Sequence, residues 1–144
     1  MTAERAGAQG VAFLPLDELL ASSQVVSMHL VVVPTTRHLM NAERLALLQP
    51  GSLLVNTSRS ELIDTAALVL ALQQGRPGFA ALDVFDVEPL PANDPLRQLP
   101  NVLLTPHLGF VTEPVFQRFA TGVTECLEAW LNQQTLVRLV SQAA

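Results

Sequence analysis

At 144 residues, 49% of them hydrophobic and only 15% charged, the chain excludes disorder and can bury a real core as one domain, residues 1–144, around a sheet covered on both faces. A net charge of -5 without any cluster of Lys or Arg excludes a surface that tracks nucleic-acid phosphates, and a lone cysteine, Cys126, excludes an internal disulfide. The longest apolar run, around residues 30–33, is too short to cross a bilayer and the first residues lack a signal-peptide core, so a soluble, cytoplasmic protein is expected.

Residues 2–8 predict a short helix closed by Gly10, and Val11-Ala12-Phe13 a minimal strand. Pro15 opens a second helix whose first turn carries Asp17 and Glu18, which suits the helix dipole. The β-branched run at residues 24–33, ended by Pro34, predicts a central strand, with His29 satisfied inside the core and a loop at Pro34-Thr35-Thr36-Arg37. Asn41 caps a helix through Leu48 that turns Leu45, Leu47 and Leu48 inward. Leu53-Leu54-Val55, bounded by Gly51 and by Asn56-Thr57-Ser58, predicts a buried strand that delivers Arg59 at its carboxyl end. A helix from the cap Asp64 to the stop Gly75 follows, and then a strand at residues 79–85. After an extended stretch through Glu88-Pro89 and a proline-rich loop, residues 101–105 form a short strand closed by Pro106-His107-Leu108-Gly109. The last helix, residues 112–132 within a helix-and-tail segment 112–144, repeats Phe116, Phe119, Val123, Leu127, Trp130 and Leu131 at helical period, which predicts a core-facing stripe.

Strand, loop, helix in repetition is the unit of an open α/β sheet, which binds ligands beyond the carboxyl ends of its strands. Three successive strand ends offer Arg59, then Asp83 with Glu88, then His107. A guanidinium, a carboxylate and an imidazole at one edge are the parts needed to handle a 2-oxo or 2-hydroxy acid. The guanidinium grips a carboxylate with two parallel hydrogen bonds, the imidazole exchanges the hydroxyl proton, and a neighbouring carboxylate fixes the imidazole's tautomer and favours its charged form. The sequence has no HExxH or paired CxxC spacing, and its three histidines are scattered, so no metal site is expected.

Four stretches carry a resemblance. They are Ser27-Met28-His29-Leu30 running to Pro34-Thr35-Thr36-Arg37-His38-Leu39, Leu54-Val55-Asn56-Thr57-Ser58-Arg59 with Ile63-Asp64, Ala80-Ala81-Leu82-Asp83-Val84-Phe85-Asp86-Val87-Glu88-Pro89, and Val102-Leu103-Leu104-Thr105-Pro106-His107-Leu108-Gly109. In order and content they resemble the D-isomer-specific 2-hydroxyacid dehydrogenase family. The resemblance implies a partial Rossmann-like parallel sheet flanked by helices, lacking the first βαβ unit, and NAD(P)-dependent interconversion of a small D-2-hydroxy acid and its 2-oxo acid. Carried across residue by residue, it implies that Arg59 binds and polarises the substrate, Glu88 pairs with His107, and His107 is the acid/base. It also implies that Leu30, Val31, Thr57 and Arg59 line the cofactor, that Asp83 holds its nicotinamide end, and that His107 and Gly109 complete that pocket.

Three departures stand out: Val31 where the family usually has proline, Ser60 where it usually has glycine, and no Gly-x-Gly-x-x-Gly turn ahead of the matching stretches. The chain therefore resembles the carboxyl-terminal two-fifths of such an enzyme. From that follow two expectations: weak binding of NAD or NADP, whose pyrophosphate normally rests on the glycine-rich turn, and self-association, as a dimer or higher homo-oligomer, through surface left uncovered. Two further classes keep the fold without turnover, a scaffolding module like the transcriptional corepressors that resemble this family, and an inactive fragment.

Overall fold

The runs at residues 24–33 and 53–55 are each followed by a helix-forming stretch and the run at 79–85 by a long proline-rich loop, so every strand can reach the next by a crossover, and strands joined that way run parallel. The computed structural model, which describes residues 2–139, has this architecture. Its elements are α1 (Ala3–Ala8), α2 (Leu16–Ser22), β1 (Val25–Met28), α3 (Ala42–Leu47), β2 (Leu53–Asn56), α4 (Thr65–Gln73), β3 (Phe79–Leu82), β4 (Val102–Leu104) and α5 (Glu113–Leu131). The four strands form one parallel sheet in the order β1-β2-β3-β4, a Rossmann-like arrangement with every carboxyl end on the same edge. The chain divides into two compact units, Met1–His107 and Leu108–Ala144.

Within the first unit the register places Val26, Leu54 and Ala80 side by side, then Met28, Asn56 and Leu82 in the next row. All six are buried, and Leu20 of α2, Leu45 of α3, Leu68 and Leu72 of α4 join the same core. The helices after Asn41 and Asp64 start where their sequence signals place them, those side chains accepting hydrogen bonds from the amides of Arg44 and Ala67, and Thr2, expected within the first helix, caps it by accepting from the amide of Arg5.

Several expectations need correction. The run at residues 24–33 forms a strand only at Val25–Met28, and that strand is an edge of the sheet. Beyond Met28 the backbone finds no strand to pair with and turns through Thr36, whose hydroxyl accepts from Val33 N at 2.8 Å and donates to Val31 O at 2.7 Å. His29 is exposed, with Nε2 2.8 Å from Ser27 Oγ. Leu47 lies on the outer side of α3, and residues 11–13 form no strand. The second face of the sheet is open: Val25, Phe79 and Leu103 are 60%, 55% and 64% exposed, so the described residues cover one face only.

In the second unit α5 runs from Thr112 to Asn132 as its caps, as the periodicity predicts. Its stripe is not a core, however: Phe116, Phe119, Val123, Leu127, Trp130 and Leu131 are all exposed, and the period alone does not supply a partner element.

The start of β3 lies against the turn that starts β2. A methyl group on Gly78 would stand 2.4 Å from Gly51 Cα, a backbone-on-backbone clash that no rotamer relieves. Gly78→Ala is therefore expected to lower unfolding free energy by about 3 kcal/mol in a urea titration. Gly7→Ala, in α1 with nothing within 4 Å, is expected to raise it by about 0.5–1 kcal/mol.

Candidate active site

The site is built at the carboxyl ends of β2, β3 and β4. The last residue of β2, Asn56, is 1% exposed, and its amide has partners on both sides. Nδ2 donates to Arg59 O at 2.8 Å and Oδ1 accepts from Ser58 N at 3.0 Å, so the loop is folded back on the strand that precedes it. Ser58 Oγ donates to Leu30 O at 2.7 Å, which ties the same loop to the segment after β1. Arg59 leaves this clamp with an extended backbone and an exposed side chain, whose Nη1 donates to Ser58 O at 2.6 Å. Ser60 opens a 3-10 turn, Ser60–Leu62, and is not among the residues with positive φ, so its side chain brings no left-handed strain.

At the end of β3 the amide of Asp83 donates to Asn56 O at 3.0 Å, and the carboxylate, 4% exposed, accepts a hydrogen bond from Thr105 Oγ1 at the end of β4. Just beyond Asp83, Phe85 N donates to Glu88 Oε1 at 2.9 Å. That bond turns the Glu88 side chain back over its own loop and leaves Oε2 against His107 Nδ1, 2.8 Å away. His107 reaches this position through a left-handed backbone, φ 56°, with its amide donating to Thr105 O at 3.0 Å. A residue with a Cβ gives up roughly 1–2 kcal/mol to sit there, and such strain collects at functional positions.

The hydrogen bond from His107, and after it the one from the Phe85 amide, hold the Glu88 carboxyl below the usual carboxylate range. An ionised carboxylate only accepts hydrogen bonds, so the proton between the two side chains belongs to His107 Nδ1 and the tautomer is set. Both side chains are 37% exposed, so the pair is open to a ligand.

Arg59, Glu88 and His107 line one cleft of about 430 Å³, with Arg37, Phe85 and Asp86. Arg59 also borders a neighbouring cleft of about 410 Å³, lined by Leu30, Val31, Val32, Ser58 and Glu61. Other sequence candidates lie elsewhere. Asp83 is buried beneath the edge, Thr57 is exposed, and neither lines these two clefts, while Gly109 belongs to the second unit. The sequence places Arg37 only in a loop. The signal that could have found it is the one that found Arg59, a lone cation just beyond a strand-forming run. Among the described residues no group of three or more His, Cys, Asp or Glu could hold a metal ion, and no helix is long and apolar enough to cross a membrane.

An open parallel α/β sheet with a guanidinium, a carboxylate–imidazole pair and an apolar slot gathered at its carboxyl edge belongs to the Rossmann-like nucleotide-binding class. The sequence profile of the NAD binding domain of D-isomer specific 2-hydroxyacid dehydrogenases matches residues 1–109, and the chain belongs to that family. It is 42% identical over 130 residues to a glyoxylate reductase of Thermofilum pendens, covering 90% of this chain and 38% of that protein. The crystal structure of the TT0316 protein from Thermus thermophilus superposes with a TM-score of 0.83 at 40% identity, covering 96% of this chain and 49% of that one. A D-isomer specific 2-hydroxyacid dehydrogenase from Xanthobacter autotrophicus Py2, solved with NADPH and MES, gives a TM-score of 0.69 at 40% identity, covering 88% and 51%. The chain thus spans about two fifths to one half of the length of these proteins.

The depressed Glu88 carboxyl gives a signed pH dependence. A carboxylate favoured in the fold contributes stability above its unfolded value, about 4.5, and loses that contribution as pH falls through the lower folded value. The wild type is expected to melt above Glu88→Gln at pH 6–7, with the gap narrowing as pH falls below about 4.5; a gap that does not narrow there would contradict the assignment.

Proposed function

We propose that the protein interconverts a small D-2-hydroxy acid and its 2-oxo acid with NAD or NADP. The observation that carries this reading is the single cleft of about 430 Å³ lined by Arg59, Glu88 and His107, with the imidazole and the carboxylate hydrogen-bonded at 2.8 Å. Membership of the family supports the same chemistry.

In this reading Arg59 holds the substrate carboxylate through two parallel N–H···O bonds and directs a remaining N–H at the 2-oxo oxygen, drawing electron density from the carbonyl carbon. Glu88 fixes His107 Nδ1–H, so proton exchange with the substrate falls to Nε2. During reduction the imidazolium gives that proton to the 2-oxo oxygen, and during oxidation the neutral ring takes it from the 2-hydroxyl. Glu88 stabilises the charged ring in either direction, because its carboxylate stays ionised against it.

The residues present fit the nicotinamide end of the cofactor. The slot lined by Leu30, Val31 and Val32, with Ser58, Arg59 and Glu61, offers apolar surface for a flat ring, while Asp83, to which the resemblance assigns the carboxamide, lies buried at the neighbouring strand end, bonded to Thr105 and outside the slot. Bound there, the cofactor supplies or takes the hydride at C2 of the acid. The single cysteine suits a reducing, cytoplasmic setting, and the open sheet face with Val25, Phe79 and Leu103 supports homo-oligomerisation.

Glyoxylate reduction followed by loss of NADH or NADPH absorbance tests the reading. His107→Asn is expected to lower kcat by roughly 10²–10⁴ with the fold intact by circular dichroism. Arg59→Ala is expected to raise KM and lower kcat together, since the guanidinium acts on bound substrate and on the carbonyl. Wild-type turnover in the His107 variant would refute the proposal.

A further inference from the structure

The longest helix, α5, keeps one apolar side in the open. Phe116, Phe119, Val123, Leu127, Trp130 and Leu131 are between 52% and 70% exposed. At about 100° per residue the first five fall within about 40° of Val123, with Leu131 about 80° away, so they form one stripe along the helix. After Glu113 the charged residues are Arg118, Glu125 and Glu128, and these fall about 140–160° from Val123, on the opposite side. The stripe is therefore free of charge along its length.

The continuation of the chain takes a different side of α5. Gly122 and Ala129 are the buried residues of the helix, and by the same geometry they lie about 100–120° from Val123. The segment after Asn132 returns to that side. Gln134 N donates to Ala129 O at 2.8 Å, Arg138 Nη2 donates to Glu125 Oε2 at 2.8 Å, and a methyl group on Gly122 would stand 3.3 Å from Arg138 Nε. The stripe itself is well prepared for a partner. Phe116 and Phe119 meet edge to face with centroids 6.4 Å apart, and Thr124 Oγ1 on the flank donates to Ala120 O at 2.9 Å, so that flank is small and its hydroxyl is already satisfied.

At roughly 150–250 Å² for a whole large side chain, the six residues offer on the order of 700 Å² of apolar surface. A specific interface of standard size takes about 800 Å² from each partner, with aromatic residues enriched and charges depleted at its centre. A second copy of the same stripe meets both conditions, because an uncharged surface meets no like charge on its own copy. An antiparallel arrangement also sets the two helix dipoles against each other.

We propose that α5 is a homodimerisation element: two copies of the chain pair through this stripe, helix against helix and antiparallel, about a two-fold axis near Val123. The pairing is independent of cofactor and of turnover. The open sheet face is the other surface free for a second copy, and the test separates the two.

Sedimentation velocity on the purified chain over a dilution series is expected to show a dimer. Phe119→Glu and Val123→Glu are expected to weaken it roughly tenfold or more, while Leu103→Glu on the open sheet face leaves it unchanged. Disulfide trapping in a Cys126→Ser background reads the geometry independently of any loss of helix in the glutamate variants. Val123→Cys, at the axis, is expected to form a linked dimer on oxidation; Phe116→Cys, at one end, and Glu128→Cys, on the opposite side, are expected to remain single chains. A wild type that stays monomeric at every concentration, a dimer that Val123→Glu leaves intact, or one that Leu103→Glu disperses instead, overturns the proposal. Linking through Phe116→Cys or Glu128→Cys as readily as through Val123→Cys overturns it as well.

Discussion

The side-chain amide of Asn56 is the contact on which the arrangement of the edge depends. It ends a buried strand, and a buried amide left without partners would cost on the order of 1–3 kcal/mol, so the loop must come back to meet it. Ser58 and Arg59 supply those partners from the same loop, and the Asn56 carbonyl takes the amide of Asp83 from the neighbouring strand end. One residue thereby sets where the guanidinium emerges and couples it to the strand that leads to Glu88. The reactive groups sit on loops, but a core position decides where those loops begin.

A second theme is how the acidic groups of the cleft are held. Asp86 accepts from Thr65, Glu61 from Ser60, and Glu88 from the Phe85 amide and the imidazole, so each carboxylate is positioned by a named donor and keeps its charge in the cleft that Arg37 and Arg59 also line. The strain at His107 serves the same positioning, since a relaxed backbone there would be easier to fold and is given up to bring the ring against Glu88.

Much of this was legible from residue order. Asn41 and Asp64 read as caps because short oxygen-bearing side chains satisfy the first free amides of a helix, and each does so here. Arg59, Glu88 and His107 read as edge residues because each interrupts an apolar run at its carboxyl end, and the structure brings all three to one cleft. What was not legible depends on neighbours. The extent of β1 is set by how many partners β2 offers, so the β-branched residues after Met28 turn away in spite of their propensity. The stripe on α5 records amphipathicity and not what lies against it, and the open face of the sheet has the same origin. Arg37 stayed hidden because nothing in its own segment announces the bond from His38 to Glu61 that brings it beside Arg59.

The sheet order, finally, follows the order of the chain, with β1 pairing β2, β2 pairing β3 and β3 pairing β4. Among the described strands none therefore has to be inserted between two already paired, and each later one has a rim of the earlier ones to join. The imidazole comes after the carboxylate it meets in the chain, so the loop that carries Glu88 and the strand that leads to His107 belong to neighbouring steps of the same sheet.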